Sequence, residues 1–450
     1  MDHPANIRLF HAAGVLDAEG VAAAPGTVLL GFAGGSPCVL AAGRPEDVAT
    51  HPATATATRI ERPEEVLIPG LINAHAHLDL THIGPRPYDH VRGQFGDWLA
   101  MILRERATDE AAIRDSVRLG VERSLAGGVV AVGDIAGVWS TVPTETVRRS
   151  AMTGVSYIEA FGAGARQEDS AQRIGAILDG CAHTDRGVRV GLSPHAPYTV
   201  GARLYQRMLA LAASNQLPLA THLAESAPEH EFIAGGGGLF RELLESMGLW
   251  DDTILDEVGA GKTPIAHFFD ALQGPVELAA SRAPVLLVHC NDVVSDADLD
   301  TLAGAPVSVV YCPRSSAYFG AEHRFGPHRY AEMIERGINV ALGTDSIVNL
   351  PPGAGGAPPT ISTLDEIRFL HARDGDCSGR VPARSLLAMA TTNAARALGL
   401  EAGRFTLAPG PIEGLVAVRI DQSVPTDRLA ETVAQSRGAP DLLTHQMQPA

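Results

Sequence analysis

The sequence predicts an α/β protein: a (β/α)8 barrel of the TIM type, with a small β-domain assembled from both chain ends. Three observations carry the prediction. Eight short apolar runs lie between residues 66 and 346, a polar or helix-like stretch follows each run, and histidines gather where the runs end. Strands that alternate with helices imply a parallel barrel, and barrel enzymes keep their reacting groups at the C-terminal ends of strands.

The eight runs are Val66–Asn73, Val129–Ile135, Val155–Phe161, Val188–Ser193, Leu217–His222, Val285–His289, Val307–Cys312 and Asn339–Gly343. Their near-continuous hydrophobicity fits parallel strands buried on both faces. Helical patterns between them include Asp109–Ala126, Ser170–Cys181, Leu204–Ser214 and Tyr330–Arg336. Gly337 stands where a helix C-cap glycine is expected. Before residue 66, the strand-like pieces Asn6–Phe10, Thr27–Phe32 and Cys38–Ala41 are punctuated by Gly and Pro, and Leu415–Ile420 resumes the pattern near the other end. The expected organisation is residues 1–65 and 401–450 in the β-domain and 66–400 in the barrel. The Gly/Pro-rich stretch 351–359 follows the last strand and reads as either a disordered insertion or a substrate lid.

With 45% hydrophobic residues in 450, the chain can bury a large core. Its formal charge of −17 opposes binding to nucleic acid or anionic membranes and leaves a small molecule as the expected partner. No run reaches bilayer-spanning length and no signal segment opens the chain, so a cytoplasmic location is expected. Cys38, Cys181, Cys290, Cys312 and Cys377 are odd in number and scattered, which reads as reduced thiols rather than a disulfide framework.

His75 and His77 close the first run, and side chains two apart on a strand share a face. Taken alone, such a pair is more often loop surface or satisfied polar groups than ligands. The other strand ends alter that balance. His195 follows the fourth strand, His222 ends the fifth, His289 ends the sixth and Asp345 follows the eighth. Satisfied core histidines would have to recur independently at every one of these ends. His75, His77, His222 and Asp345 make a mixed nitrogen and oxygen set suited to one catalytic divalent metal. Zinc is the first expectation, and iron or manganese are also compatible. Such a metal brings the pKa of its water from about 15.7 to roughly 7. Glu225, three residues beyond His222, is placed to serve as the general acid/base, and His289 to orient the attacking hydroxide.

Five stretches, Pro69–Leu78, Thr221–Glu225, Val288–Cys290, Cys312–Ser315 and Leu342–Ser346, together resemble the amidohydrolase superfamily. Within it they resemble the branch of nucleoside and nucleobase deaminases and triazine chlorohydrolases. The stretches come in the family's order, and Ala390–Arg396 resembles its last helix. The resemblance implies a single divalent metal, a composite β-sandwich from both termini and commonly a homodimer. Two-metal members use a carboxylated lysine near the end of the fourth strand. Here Lys262 is the chain's one lysine and lies between strands five and six, which implies a mononuclear site. The late segment departs from the family's Ala-Asp-Leu at Glu413-Gly414-Leu415, which touches the β-domain and not the chemistry.

The resemblance further implies hydrolytic deamination of a 6-aminopurine nucleoside of the aminodeoxyfutalosine, S-adenosylhomocysteine or methylthioadenosine type. His195, Asp97 and Trp98 resemble positions that reach substrate. Trp98 equally suits a core anchor for its helix, and Arg314 either meets an anionic group or caps its own loop. Dechlorination, guanine- or cytosine-type deamination and amide cleavage use the same hydroxide and stand as alternatives. A non-catalytic barrel used for assembly is disfavoured, because such proteins lose ligands and this chain keeps every expected one.

Overall fold

A computed structural model of the chain describes residues 7–33, 36–89, 95–181, 187–274, 278, 284–352, 359–375, 381–421 and 424–444. The N-terminal strands are β1 (Arg8–Leu16), β2 (Ala22–Ala23), β3 (Gly26–Ala33), β4 (Ser36–Gly43) and β5 (Thr58–Pro69). The barrel follows with β6 (Leu71–Ala76), β7 (Val129–Val138), β8 (Thr153–Ala160), β9 (Val188–Pro194), β10 (Leu219–Leu223), β11 (Val285–His289), β12 (Val307–Tyr311) and β13 (Asn339–Leu342). The C-terminal strands are β14 (Gly410–Pro411), β15 (Leu415–Arg419) and β16 (Asp441–Leu442).

Strands β6 to β13 pair in sequence order, all parallel. A parallel bridge between Ala76 and Asp345 closes the ring, with Thr344 N and Asp345 N both donating to His75 O at 3.1 Å. Every residue of β10 and β11 is buried, as apolar strands covered on both faces should be. The companion domain is one curled sheet in the order β14-β4-β3-β1-β5-β15-β16, with β2 on β1, so both chain ends build it. Phe10, Val28, Leu30, Leu67, Leu407 and Leu415 pack together in its own buried core.

The run Val66–Asn73, expected as one strand, is divided between the two sheets. Its first half ends β5, where Val66 to Pro69 pair with β15, and its second half begins β6. Gly70 makes the crossing: its N–H donates to Gly414 O at 2.7 Å, and a Cβ there would stand 2.5 Å from Val130 Cγ2. Apolar content is the same on both sides of the turn, so periodicity alone does not reveal it.

Local signals hold elsewhere. Asp109 caps the helix Glu110–Ala126 by accepting from Ala112 N at 2.9 Å. The helix Tyr330–Glu335 ends two residues before Gly337, whose φ of +80° suits glycine. Three further helices, Phe95–Glu105, Ala227–Gly235 and Leu239–Ser246, lie in the loops over the C-terminal barrel face, where Phe232, Phe240 and Leu244 join Tyr198 in a satellite core. Cys38, Cys181, Cys290 and Cys312 are free thiols. Cys377 and the middle of the stretch 351–359 lie outside the described residues. Among the described residues, no helix is long and apolar enough to cross a membrane.

Candidate active site

Barrel strands deliver each polar group to one end of the molecule. His75 belongs to β6 and His77 follows that strand; His222 is in β10, with Glu225 two residues past its end; β11 ends on His289; and Asp345 lies just beyond β13. Ala224, His289, Cys290 and Asp345 hold positive φ angles of 55°, 75°, 51° and 58°. That region costs a residue with a Cβ roughly 1–3 kcal/mol. The cost falls where the backbone turns away from the strands, and two of the four, His289 and Asp345, line the cavity at the barrel mouth.

The nitrogen atoms converge. His77 Nε2 lies 3.3 Å from His222 Nε2 and 3.4 Å from Asp345 Oδ1, and His75 Nε2 is 3.6 Å from the same oxygen. His222 Nδ1 donates to His195 O at 3.0 Å, which leaves its Nε2 lone pair facing the cluster. Asp345 Oδ2 is occupied by Ser315 Oγ and Asn349 Nδ2, each at 2.7 Å, so Oδ1 is the free acceptor. His75 is 1% exposed and its Nε2 has no hydrogen-bond partner. An orphaned buried nitrogen among converging lone pairs is what a bound divalent cation satisfies, so these four residues fit a metal. A second group, Glu225, His289 and Asp345, adjoins the first through Asp345.

Electrostatics favour the same reading. Burial and the neighbouring imidazoles hold His77 and His222 well below the usual histidine range, so both are neutral, the form that a divalent cation requires. Burial pushes Asp345 upward, but the imidazoles of His75, His77 and His289 more than reverse this and keep it ionised. Burial, then the charges of Asp345 and Glu229, raises Glu225 well above the usual carboxylate range. Its Oε1 stands 3.5 Å from His289 Nε2. Burial brings His289 down to about 3.

The profile of the amidohydrolase family matches residues 66–418, more than half of the chain. The chain belongs to the amidohydrolase family. An aminodeoxyfutalosine deaminase of Deinococcus radiodurans is 31% identical to this amidohydrolase over 351 residues, covering 74% of this chain and 73% of the relative. Among solved structures, the Helicobacter pylori aminofutalosine deaminase aligns with a TM-score of 0.72 at 19% identity, covering 97% of this chain and 98% of that one. An atrazine chlorohydrolase from Arthrobacter aurescens, solved with zinc, aligns with a TM-score of 0.70 at 19% identity over 95% of this chain and 91% of that one. At such identities the two structures share the fold.

In this amidohydrolase the cluster floors a cavity of about 200 Å³. His77, His222, Glu225, His289 and Asp345 form its polar end, while Phe95, Trp98, Leu99 and Ile102 line an apolar wall. His195 also reaches it, its Nδ1 tied to Thr199 Oγ1 at 2.7 Å and its pKa brought down to about 3 by burial and Arg106. Trp98 lines the cavity and packs edge-on against Phe319, so wall and helix anchor are one role. The structure places the other two candidates away from the cavity. Asp97 is exposed on the outer side of its helix and does not line the cavity. Arg314 is committed to the fully buried Glu366, through Nε at 2.6 Å, and to Ser362 O, where it joins two helices outside the cavity. Lys262 pairs with Asp270 at 2.8 Å, and β9 contains no lysine.

Sequence reasoning missed Glu159, Arg106 and Glu229. Glu159 is buried in the cavity wall and pushed up to about 7 by burial; its signal was an acid near the end of an otherwise apolar strand. Arg106 lines the same wall and grips Asp79 through Nε at 2.9 Å and Nη2 at 2.7 Å. Glu229 accepts from Ala224 N at 2.9 Å and Glu225 N at 2.8 Å, clamping the strained turn that carries Glu225. Its spacing of four from Glu225 was the available clue.

Proposed function

We propose that this amidohydrolase is a zinc-dependent hydrolytic deaminase of a 6-aminopurine nucleoside, with aminodeoxyfutalosine the first substrate to test and S-adenosylhomocysteine and methylthioadenosine next. One observation carries the reading: Glu225, its carboxyl pKa raised by burial, stands beside the cluster of His75, His77, His222 and Asp345 at the polar end of an otherwise apolar cavity. The 31% identity to the Deinococcus radiodurans deaminase supports the choice of substrate.

In this reading His75, His77, His222 and Asp345 would hold the ion, which would supply a hydroxide nucleophile from water at neutral pH, the water's other proton going to Glu225. Glu225 donates its proton to the ring nitrogen as oxygen adds to the carbon bearing the amine. The resulting carboxylate takes the proton of the added hydroxyl and passes it to the amine, which leaves as ammonia and yields the ring carbonyl. His289, neutral and 3.5 Å from Glu225, orients the attacking oxygen. His195 contacts the purine from the opposite wall, and Trp98 and its apolar neighbours keep water from the reacting face.

The test is ammonia release by metal-reconstituted protein from these three nucleosides, with guanine, cytosine and aminotriazines alongside and a chelated control. Metal-dependent ammonia from a nucleoside establishes the reading. Silence on every amine, with metal bound, refutes it.

A further inference from the structure

The catalytic cavity does not end at its own rim. A second cavity of about 570 Å³ adjoins it and shares Leu103, Val138, Phe161, Leu244, Met247 and Leu249 as common wall. Leu103 and Met247 are 51% and 49% exposed, and both belong to the short set of large apolar side chains in water among the described residues. Apolar surface left open at the junction of two cavities is what a ligand passing between them would cover.

The far wall carries charge. Trp139, on the loop after β7, holds a φ of +55°, a strained conformation for a bulky residue, and its N–H donates to Glu159 O at 3.0 Å. The Arg173 guanidinium lies 4.7 Å above the Trp139 ring, and among the described residues it forms no ion pair. Arg166, on the same wall, is already used: it donates to Leu249 O at 2.6 Å and Gly248 O at 2.7 Å. Asp169 stands one helical turn before Arg173 on the helix Gln167–Asp179. A cation preoriented on an indole, with its donors unengaged, suits a carboxylate.

Resting on the nucleoside reading above, we propose that the second cavity takes the substrate's 5′ substituent, and that Arg173 on Trp139 binds a carboxylate at the end of that substituent. The apolar junction accepts the substituent's uncharged body. An aryl carboxylate and an amino-acid carboxylate share this chemistry. Asp169 separates them, because only the second carries an ammonium for it to meet.

The experiment compares kcat/KM for three nucleosides: aminodeoxyfutalosine, which ends in an aryl carboxylate; S-adenosylhomocysteine, which ends in an amino acid; and methylthioadenosine, which has neither. Wild type, Arg173→Ala, Arg173→Glu, Arg173→Lys and Asp169→Asn are assayed at low and high salt. The ratio of kcat/KM for the preferred carboxylated nucleoside to that for methylthioadenosine should fall about fivefold in Arg173→Ala, the worth of one exposed charge pair. The fall should be larger in Arg173→Glu, recover in Arg173→Lys, sit in KM, and shrink at high salt. An added fall for S-adenosylhomocysteine in Asp169→Asn assigns the amino-acid source, and none assigns the aryl source. A ratio equal in all five proteins overturns the subsite while leaving the deaminase reading standing. Ammonia from no nucleoside refutes that reading and the subsite with it.

Discussion

Replacing Glu225 by Gln tests the proposed chemistry most directly, because the structure separates its effect on turnover from its effects on metal and fold. Glu225 touches none of the nitrogen ligands closely: its nearest ionisable partner is His289 Nε2 at 3.5 Å. Burial, with the charges of Asp345 and Glu229, raises its pKa well above the usual carboxylate range, and Gln reproduces the shape of the protonated carboxyl. The amide cannot release a proton to a ring nitrogen. Loss of one positioned acid costs about 10²–10⁴ in rate, which corresponds to roughly 3–5 kcal/mol in the barrel mouth. Stability should move the other way in the metal-free protein. A carboxyl whose folded pKa lies above its unfolded value loses stability as pH rises between the two, and Gln removes that slope, so the variant should unfold no earlier than wild type at pH 7 and show a flatter pH profile. The assays are ammonia release, metal content by mass spectrometry and denaturant unfolding across pH 5–8. A kcat within tenfold of wild type at full metal occupancy would refute the proton-transfer role. A clear loss of stability in the metal-free variant would refute the protonated state.

His77→Ala should lose metal and activity together, since His77 Nε2 lies within 3.4 Å of both His222 Nε2 and Asp345 Oδ1; metal retained at full occupancy would contradict the ligand assignment. Arg314→Ala should leave KM unaltered and destabilise by about 3–5 kcal/mol, because it strands Glu366 inside the protein; a raised KM with unchanged thermal stability would return Arg314 to the substrate. Gly70→Ala should cost about 1–3 kcal/mol by forcing a Cβ against Val130, seen as a lower Tm with metal affinity little altered.

The barrel was legible because its strands are buried on both faces and therefore read as apolar runs, and because chemistry placed at strand ends puts His75, His222 and His289 at the edges of those runs. What escaped was non-local. The division of Val66–Asn73 at Gly70 depends on β15, a strand contributed by the other end of the chain. The sequence leaves Arg314 between an anionic ligand and its own loop because its partner Glu366 is remote along the chain. Asp97 shares a helix with Trp98, but neighbouring helical residues point about 100° apart, and only Trp98 faces the cavity. Glu159 lies near the end of a buried strand, where its apolar neighbours mask its polarity in the sequence.

The ring closes where Ala76 meets Asp345, the join between the first and last barrel strands, and the ligand set straddles that join. His75, His77 and His222 converge from β6 and β10, whereas Asp345 joins them only where β13 meets β6. An ion held by all four would favour the closed ring and so would shift the opening equilibrium toward closure. Amide protons of β6 and β13 should exchange fastest among the barrel strands in the stripped protein and slow most on loading, so that the catalytic ion also serves as the fastener of the cylinder that carries it.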